Sequence, residues 1–202
     1  MGIQERKERE KEQLKELIMS TAAELFRKNG YEKTSIRAIA KAIEYSPGTI
    51  YLHFKDKDEL LYNISVRGFQ LFFTYFTQIQ DIDEPMQRLQ KLGEVYLTFA
   101  FDHPAYYDLM FIMNDPMRSL DKKEWSEGKR SHDVLTNVIR DCKEAGYFEG
   151  YDVEELSVMI WGQVHGIVSL YIRDRMTMYE GKNPKDLIFK ALAIFNSIIE
   201  KA

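Results

Sequence analysis

Basic and hydroxyl-bearing side chains are concentrated between Tyr31 and Lys57. This segment holds five basic and three acidic residues, a net charge of +2, whereas the whole chain carries −4 at pH 7. Ammonium and hydroxyl groups hydrogen-bond phosphate oxygens, so the segment has the chemistry of a nucleic-acid contact. A charge run is also typical of an ordinary solvated face, and a pI near 5.7 taken alone argues weakly against nucleic acid. The basic residues are Lys33, Arg37, Lys41, Lys55 and Lys57.

Side chains that could perform catalysis are scattered along the chain. The single cysteine, Cys142, has no base nearby in sequence, and the histidines lie in four different predicted elements without metal-ligand spacing. There is also no glycine-rich phosphate loop. We therefore expect no catalytic site, no metal site and no cofactor. The four histidines are His53, His103, His132 and His165.

The composition is that of a globular protein kept in a reducing compartment. Of the 202 residues 45% are hydrophobic and 30% charged, and one cysteine cannot form an internal disulfide. No apolar stretch approaches the length that spans a bilayer, and the N-terminus has no signal-peptide core. These features predict a cytoplasmic protein with no membrane contact.

The first 75 residues of the chain contain signals for four helices. Apolar residues spaced by three and four predict a first helix that stops at Asn29-Gly30 and extends towards the N-terminus through an alternating charge run. Thr34 is the expected N-cap of the second helix. Ser46-Pro47 predicts a third, short helix to about Leu52, and Asp56 opens a fourth through about Tyr75.

The rest of the chain is also predicted to be helical, because each break is a cap or a proline and no long alternating run indicates a strand. The fold class is therefore all-α, with about nine helices. The expected starts are Glu84-Pro85, His103-Pro104 and Asp115-Pro116, followed by helices over about 121–145, 153–178 and 184–201.

Residues 34–54 place two short helices around a tight turn, the geometry of a DNA-binding helix-turn-helix. The run from Gly30 to Ala40 (GYEKTSIRAIA) and the run from Ser46 to Leu60 (SPGTIYLHFKDKDEL) make this interpretation specific. Together they closely resemble the N-terminal domain of the TetR family of transcriptional repressors. The resemblance covers about the first 65 residues and implies a three-helix DNA-binding domain.

The resemblance implies a role for individual side chains. Gly48 would allow close approach to the DNA backbone, and Thr49 would offer a hydroxyl to phosphate or a methyl to thymine. Lys57 would hold a phosphate at the start of the fourth helix. Arg37 would contact either a base edge or a phosphate, and the sequence leaves both open. The implied DNA contacts are Thr34, Ser35, Arg37, Ser46, Pro47, Gly48, Thr49, Tyr51, His53 and Lys57.

One position departs from the family pattern. Where the family usually has a small residue and then glycine, this chain has Ile43-Glu44. A residue other than glycine is strained in the left-handed conformation, so we expect a wider or slightly different turn and an altered docking angle.

From about residue 66 the chain becomes rich in aromatic residues and methionine. Core packing is the default explanation, but such clusters also line pockets for apolar ligands. The resemblance implies a ligand cavity whose occupation changes the separation of the two DNA-binding heads. Its expected lining is Phe72, Tyr96, Phe99, Tyr107, Phe111, Trp125, Trp161 and His165.

The run Trp161 to Gly166 resembles a Trp–His–Gly pattern of one TetR subset. His165 is either a hydrogen-bonded core or interface histidine or a polar contact to the effector. Gly162 and Gly166 allow close helix packing, within one subunit or across a dimer. The last two helices have more apolar surface than a monomer would bury, which predicts a homodimer built as a four-helix bundle.

The prediction is a DNA-binding domain over residues 1–60 and an effector and dimerisation domain over 61–202. The expected function is that of a ligand-responsive repressor. As a homodimer it would bind a near-palindromic operator in double-stranded DNA, and a small hydrophobic or aromatic effector would release it. The alternatives are an all-α small-molecule binding protein whose helix-turn-helix does not read DNA, and an all-α enzyme.

Overall fold

The computed structural model describes residues 2–113 and 126–201, and all regular secondary structure in them is helical. The prediction of an all-α chain with about nine helices is confirmed for these residues; the expected start at Asp115-Pro116 lies outside them. The helices are α1 (Ile3–Asn29), α2 (Ile36–Ala42), α3 (Pro47–Tyr51), α4 (Lys57–Tyr75), α5 (Pro85–Asp102), α6 (Pro104–Tyr107), α7 (Ser126–Glu144), α8 (Val153–Ile172) and α9 (Pro184–Ile199). A 3₁₀ turn (Phe76–Ile79) follows α4, and a π-helical turn (Asp108–Ile112) follows α6.

Most helix starts are capped by the predicted residues. The Ser46 hydroxyl accepts a hydrogen bond from the Thr49 amide at 3.2 Å, with Pro47 in the first helical position. Asp56 likewise accepts from the Glu59 amide at 2.8 Å, at the start of α4. These contacts satisfy amides that lack partners within the helix, which is why the caps could be read from the sequence. Glu84, Asp152 and Asn183 cap α5, α8 and α9 in the same way.

The start of α2 corrects one prediction. Ser35, not Thr34, is the N-cap, and its hydroxyl accepts a hydrogen bond from the Ala38 amide at 3.1 Å. Thr34 is buried, and its hydroxyl donates to the carbonyl oxygens of Gly30 at 2.8 Å and Leu25 at 3.2 Å. The Thr34 side chain therefore ties the loop to the end of α1 instead of starting α2.

The end of α8 corrects a second prediction. The helix stops at Ile172, six residues before the predicted end at 178, because Asp174 takes a left-handed conformation with φ 53°. The Arg175 amide donates to Leu170 O and the Asp174 amide to Tyr171 O, which is the Schellman pattern of a helix end.

The turn between α2 and α3 has the same pattern. The Tyr45 amide donates to Ala40 O at 2.9 Å and the Glu44 amide to Lys41 O at 3.3 Å. Glu44 itself adopts φ 60°, the conformation that usually belongs to glycine. The expected wider turn is therefore not what this chain forms: the tight turn is kept, with a glutamate in the strained position.

The described residues cluster into two compact units. The first comprises residues 2–68 and 105–113, and the second residues 69–104 and 126–201. This division falls inside α4, eight residues beyond the predicted functional boundary at residue 60, and it assigns residues 105–113 to the unit that contains α1–α3.

In the first unit, α1 packs on α2 and on the π-helical turn, and α3 packs on α2. A close approach at Gly68 fixes the turn against α4, since a Cβ there would lie 2.5 Å from the Met110 sulfur. In the second unit, α5 lies at the centre and contacts α7, α8 and α9.

The strained turn leads to a prediction for Glu44→Gly. Glycine removes the steric cost of the left-handed conformation in the folded protein. It also increases the conformational entropy of the unfolded chain, which offsets part of that stabilisation. We therefore expect the free energy of unfolding to rise by about 0.5–1 kcal/mol. Urea denaturation of the purified protein measures the change. Glu44→Ala is the control: it removes the same carboxylate but keeps the Cβ, so it should give no such gain. An equal gain in both variants would contradict backbone strain as the cause.

Candidate nucleic-acid interface

The helix pair α2 and α3 is held on a small apolar core in the first unit. Ile39 and Ile50 are fully buried, and Phe54, which follows α3, is 2% exposed. The polar side chains of both helices point away from these residues. The sequence alternates buried and exposed positions at helical spacing, so packing of one face sets the other face outward.

The structure places nearly all of the predicted DNA contacts at accessible positions. Arg37, Ser46, Gly48 and Tyr51 are exposed, and Thr49 and His53 are partly exposed. Ser35 is also exposed, Pro47 is partly exposed, and the hydroxyls of Ser46 and Thr49 lie 3.0 Å apart at the start of α3. Thr34 is the exception: at 2% exposure, with its hydroxyl donating inward, it is removed from the predicted set.

Lys57 is part of an internal contact that the sequence did not predict. Its ammonium group donates to the carbonyl oxygens of Tyr31 at 3.0 Å and Thr34 at 3.3 Å, and lies 4.0 Å from the centre of the Tyr31 ring. The Tyr31 hydroxyl donates to the Asp58 carboxylate, and its ring packs against Phe26 at 5.2 Å. We call the contacts among Tyr31, Thr34, Lys57 and Asp58 the Tyr31–Lys57 node.

The node links three helices of the first unit. Its lysine and aspartate belong to the first turn of α4, Tyr31 follows α1, and Thr34 precedes α2. Burial and the Asp58 carboxylate raise the pKa of Tyr31, so the phenol remains a hydrogen-bond donor at neutral pH. Lys57 has three N–H groups and uses two of them here, which leaves one for the predicted phosphate contact.

His53, the second residue after α3, lies near two lysine charges and one glutamate charge. Burial lowers the pKa of His53, and the charges of Lys11 and Lys15 lower it further, while Glu12 acts in the opposite direction. The side chain is therefore neutral at pH 7, and a phosphate brought beside it would favour the protonated form.

Comparison with known families now decides the kind of protein. Residues 18–64 match the family model described as bacterial regulatory proteins, tetR family. Residues 89–193, more than half of the chain, match the model described as Tetracyclin repressor-like, C-terminal domain. The chain belongs to the TetR family. Residues 18–64 contain the helix-turn-helix domain of that family, and the relatives that the chain matches are named as transcriptional regulators.

Two relatives from Staphylococcus aureus show the extent of the sequence likeness to curated TetR-family proteins. HTH-type transcriptional regulators of strains MRSA252 and USA300 are 34% and 33% identical to this chain over 102 residues. The match covers 50% of this chain and 55% of each relative. The chain thus spans about half the length of the curated relatives it matches.

Solved structures agree with the fold over most of the chain. The TetR-family regulator PfmR from Thermus thermophilus has a TM-score of 0.72 at 20% identity, covering 91% of this chain and 97% of that one. The fatty acid degradation regulator FadR from Bacillus halodurans has a TM-score of 0.74 at 17% identity, covering 89% and 93%. At these identities the likeness concerns the fold.

The second unit of this TetR-family protein brings together five of the predicted effector contacts. The Phe72 ring lies 4.8 Å from that of Phe99 and 5.8 Å from that of Tyr96. The Tyr96 hydroxyl accepts a hydrogen bond from the Trp161 indole at 3.2 Å and lies 3.2 Å from Nδ1 of His165. Burial lowers the pKa of His165, which favours the neutral ring as hydrogen-bond acceptor for the tyrosine hydroxyl.

The other three predicted effector contacts lie outside the described part of the second unit. Tyr107 and Phe111 lie in the first unit, where their rings are 5.2 Å apart, and Trp125 is outside the described residues. His132 was not among the predicted contacts, but its ring lies 6.2 Å from that of Trp161 and its Nε2 is 3.4 Å from the Ser157 hydroxyl. No spacing in the sequence identified this contact, because His132 lies on α7 and meets α8 only through the fold.

Residues 2–113 and 126–201 contain no group of three or more metal-ligating side chains, and none of their helices is long and apolar enough to cross a membrane. Burial raises the pKa of the Cys142 thiol to about 12, so it is unreactive at neutral pH.

The node leads to a prediction for Lys57→Met, which keeps the aliphatic stem and removes the charge. Two carbonyl oxygens lose a charged donor, so we expect the free energy of unfolding to fall by about 1–2 kcal/mol. Lys55→Met is the matched control, because Lys55 is exposed and its side chain has no such partners; its effect should stay within about 0.5 kcal/mol. Equal losses in urea denaturation would show that the node does not stabilise the unit.

Proposed function

We propose that this protein is a cytoplasmic, ligand-responsive repressor that binds a near-palindromic operator as a homodimer. Residues 1–60 would carry DNA binding, and residues 61–202 effector binding and dimerisation. The observation that carries the proposal is the exposed polar face of α2 and α3, built on a buried core and placed on a family-matched helix-turn-helix.

On the DNA side, α3 enters the major groove as the recognition helix. Its first turn presents Ser46, Gly48 and Thr49, the end at which recognition helices contact base edges. Arg37 and Tyr51 are exposed on either side and reach phosphates or base edges, and the third N–H of Lys57 is directed to a phosphate. Phosphate contacts set the register, and Thr49 contributes to sequence preference.

The dimer forms through an apolar face on α8 and α9. Val158 is 66% exposed, Ile194 64% and Ile198 62%, an unusual exposure for large aliphatic side chains of a water-facing helix. Gly162 and Gly166 lie between such positions on α8, and a Cβ at either would meet no described atom within 4 Å. A second copy packing there would bury this surface in a four-helix bundle across a two-fold axis.

The effector binds at the aromatic group around Tyr96 in the second unit. Phe72 and Phe99 supply apolar contact, while the Trp161–Tyr96–His165 hydrogen bonds supply a polar group among aromatic rings. This combination suits a small hydrophobic or aromatic molecule that carries one hydrogen-bonding group.

Release from DNA requires only that the effector favour a head spacing that fits the operator poorly. A ligand shifts a two-state equilibrium by its difference in affinity for the two states, and a hundredfold shift corresponds to about 2.7 kcal/mol. A difference of this size in the binding free energy of the effector is enough to release the protein from DNA.

The experiment that tests the function is selection of duplexes from a random library by the purified full-length protein. The expected result is an inverted repeat whose half-sites are separated by about one helical turn. Effector binding without any salt-dependent DNA affinity would instead support an all-α binding protein whose helix-turn-helix does not read DNA.

Variants at Thr49 separate its methyl from its hydroxyl. Thr49→Val keeps the methyl group and Thr49→Ser keeps the hydroxyl. If the methyl reads thymine, Thr49→Ser lowers the preference for one base pair of each half-site by about 1 kcal/mol, while Thr49→Val retains it. Competition binding against duplexes altered at each position measures the preference. Equal preference in the two variants would contradict methyl readout.

The dimer is tested by the double variant Ile194→Glu/Ile198→Glu. Two carboxylates on each copy would face the same apolar surface, so we expect a monomer in sedimentation velocity and at least about tenfold weaker binding to the full repeat. Met178→Glu is the control, since Met178 is 73% exposed and lies between α8 and α9. A dimer that survives the double substitution would place the interface elsewhere.

A further inference from the structure

The N-terminal part of α1 is a helix without a packing role. Residues 2–13 are all exposed, and the first buried side chain of the helix is Ile18. At 1.5 Å per residue, about 22 Å of helix separates Ile3 from Ile18. Exposed charge pairs support it, with Arg6 and Glu10 at 2.7 Å and Lys11 and Glu8 at 3.9 Å.

Three lysines follow one another at intervals of four residues along this segment. Lys7, Lys11 and Lys15 lie on successive turns and span about 12 Å of the helix axis. We call them the α1 lysine ridge. Glu8, Glu12 and Glu16 form the adjacent row, and Glu16 pairs with Arg67 of α4 at 2.9 Å. This ion pair turns the acidic row towards α4 and sets the lysines on a different side of α1.

The charges at the inner end of the ridge act on a residue that follows α3. Lys11 and Lys15 are the basic groups that act on His53, the second residue after α3, and Glu12 is the acidic group that opposes them; together with burial, the two lysines lower the pKa of His53. Lys11 and Lys15 therefore share an electrostatic environment with the residue that follows α3, and Lys7 lies one turn farther towards the N-terminus of α1.

We propose that the α1 lysine ridge binds backbone phosphates of duplex DNA that flanks the base pairs contacted by α3. The inference rests on the proposed function and extends the interface beyond the helix-turn-helix. Phosphates follow one another at about 3.4 Å of axial rise on a strand, so about 12 Å of ridge corresponds to three or four of them.

The chemistry of the segment favours DNA over a membrane surface. A helix that lies in a lipid interface needs a broad apolar face, and Ile3 is the one aliphatic residue between Ile3 and Gln13. The acidic neighbours do not prevent phosphate binding, because the Lys11–Glu8 pair is exposed at 3.9 Å and such pairs are weak. Lys11 can exchange that carboxylate for a phosphate.

The test compares two duplexes that carry the sequence selected by the wild-type protein, one trimmed to the repeat and one with ten additional base pairs on each side. For Lys7→Gln/Lys11→Gln/Lys15→Gln we expect weaker binding to the long duplex, with the salt slope reduced by about one for each lysine of each protomer. On the trimmed duplex its affinity and slope should be close to those of the wild type. Lys7→Arg/Lys11→Arg/Lys15→Arg keeps the charges and should restore binding to the long duplex.

A control with the same loss of charge is Lys129→Gln/Lys182→Gln/Lys201→Gln, whose three positions are exposed in the second unit. It should bind both duplexes with the wild-type slope. If the salt slope of this control on the long duplex falls as much as that of the ridge variant, the effect is one of net charge and the proposal is wrong. Circular dichroism of each variant verifies that α1 remains helical.

The outcomes also separate this proposal from the proposed function. A wild-type protein that selects no sequence would overturn the proposed function and the ridge with it. A wild-type protein that selects an operator, together with a ridge variant that has the wild-type slope on the long duplex, would overturn the ridge alone. Loss of binding to phosphatidylserine vesicles in the ridge variant, with an unchanged slope on DNA, would assign the lysines to a membrane instead.

Discussion

The position of the recognition helix depends on the Tyr31–Lys57 node. One ammonium group at the start of α4 donates to carbonyl oxygens on both sides of the loop between α1 and α2. The Tyr31 ring beneath it is packed on Phe26 and tied through its hydroxyl to Asp58. A loop that would otherwise be free is thereby fixed to two helices. Because α3 is only five residues long, it cannot hold its own position and depends on α2 and this loop.

Under the proposed function, the Lys57 side chain of the node would serve both stability and DNA binding. Lys57 donates two hydrogen bonds to loop carbonyl oxygens, so its charged group is held at a fixed point near the start of α4. A phosphate contact through the remaining N–H then needs little further ordering of a flexible side chain. The strained Glu44 is a comparable case, since the tight turn is kept with a residue that is less suited to it than glycine.

Local features of this protein were predictable and long-range ones were not. The caps Ser46 and Asp56 bond to amides three residues away, so their positions in the sequence were enough to predict them. The choice of Ser35 over Thr34 depended on the carbonyls of Leu25 and Gly30, which the sequence does not place near Thr34. The end of α8 depended on a left-handed aspartate, a conformation that sequence patterns assign to glycine. The same limit applies to the aromatic residues, because Tyr96 and Trp161 meet across 65 positions of sequence while Tyr107 belongs to the other unit.

The central claim is that two copies of this helix-turn-helix read a symmetric site in adjacent major grooves. Hydroxyl-radical footprinting of the full-length protein on a selected duplex tests it directly, because the cleavage pattern reports which sugars the protein covers. The account predicts two protected regions on each strand, related by a two-fold axis and separated by about one helical turn. A single protected region, or protection that does not depend on the sequence of the duplex, would contradict it.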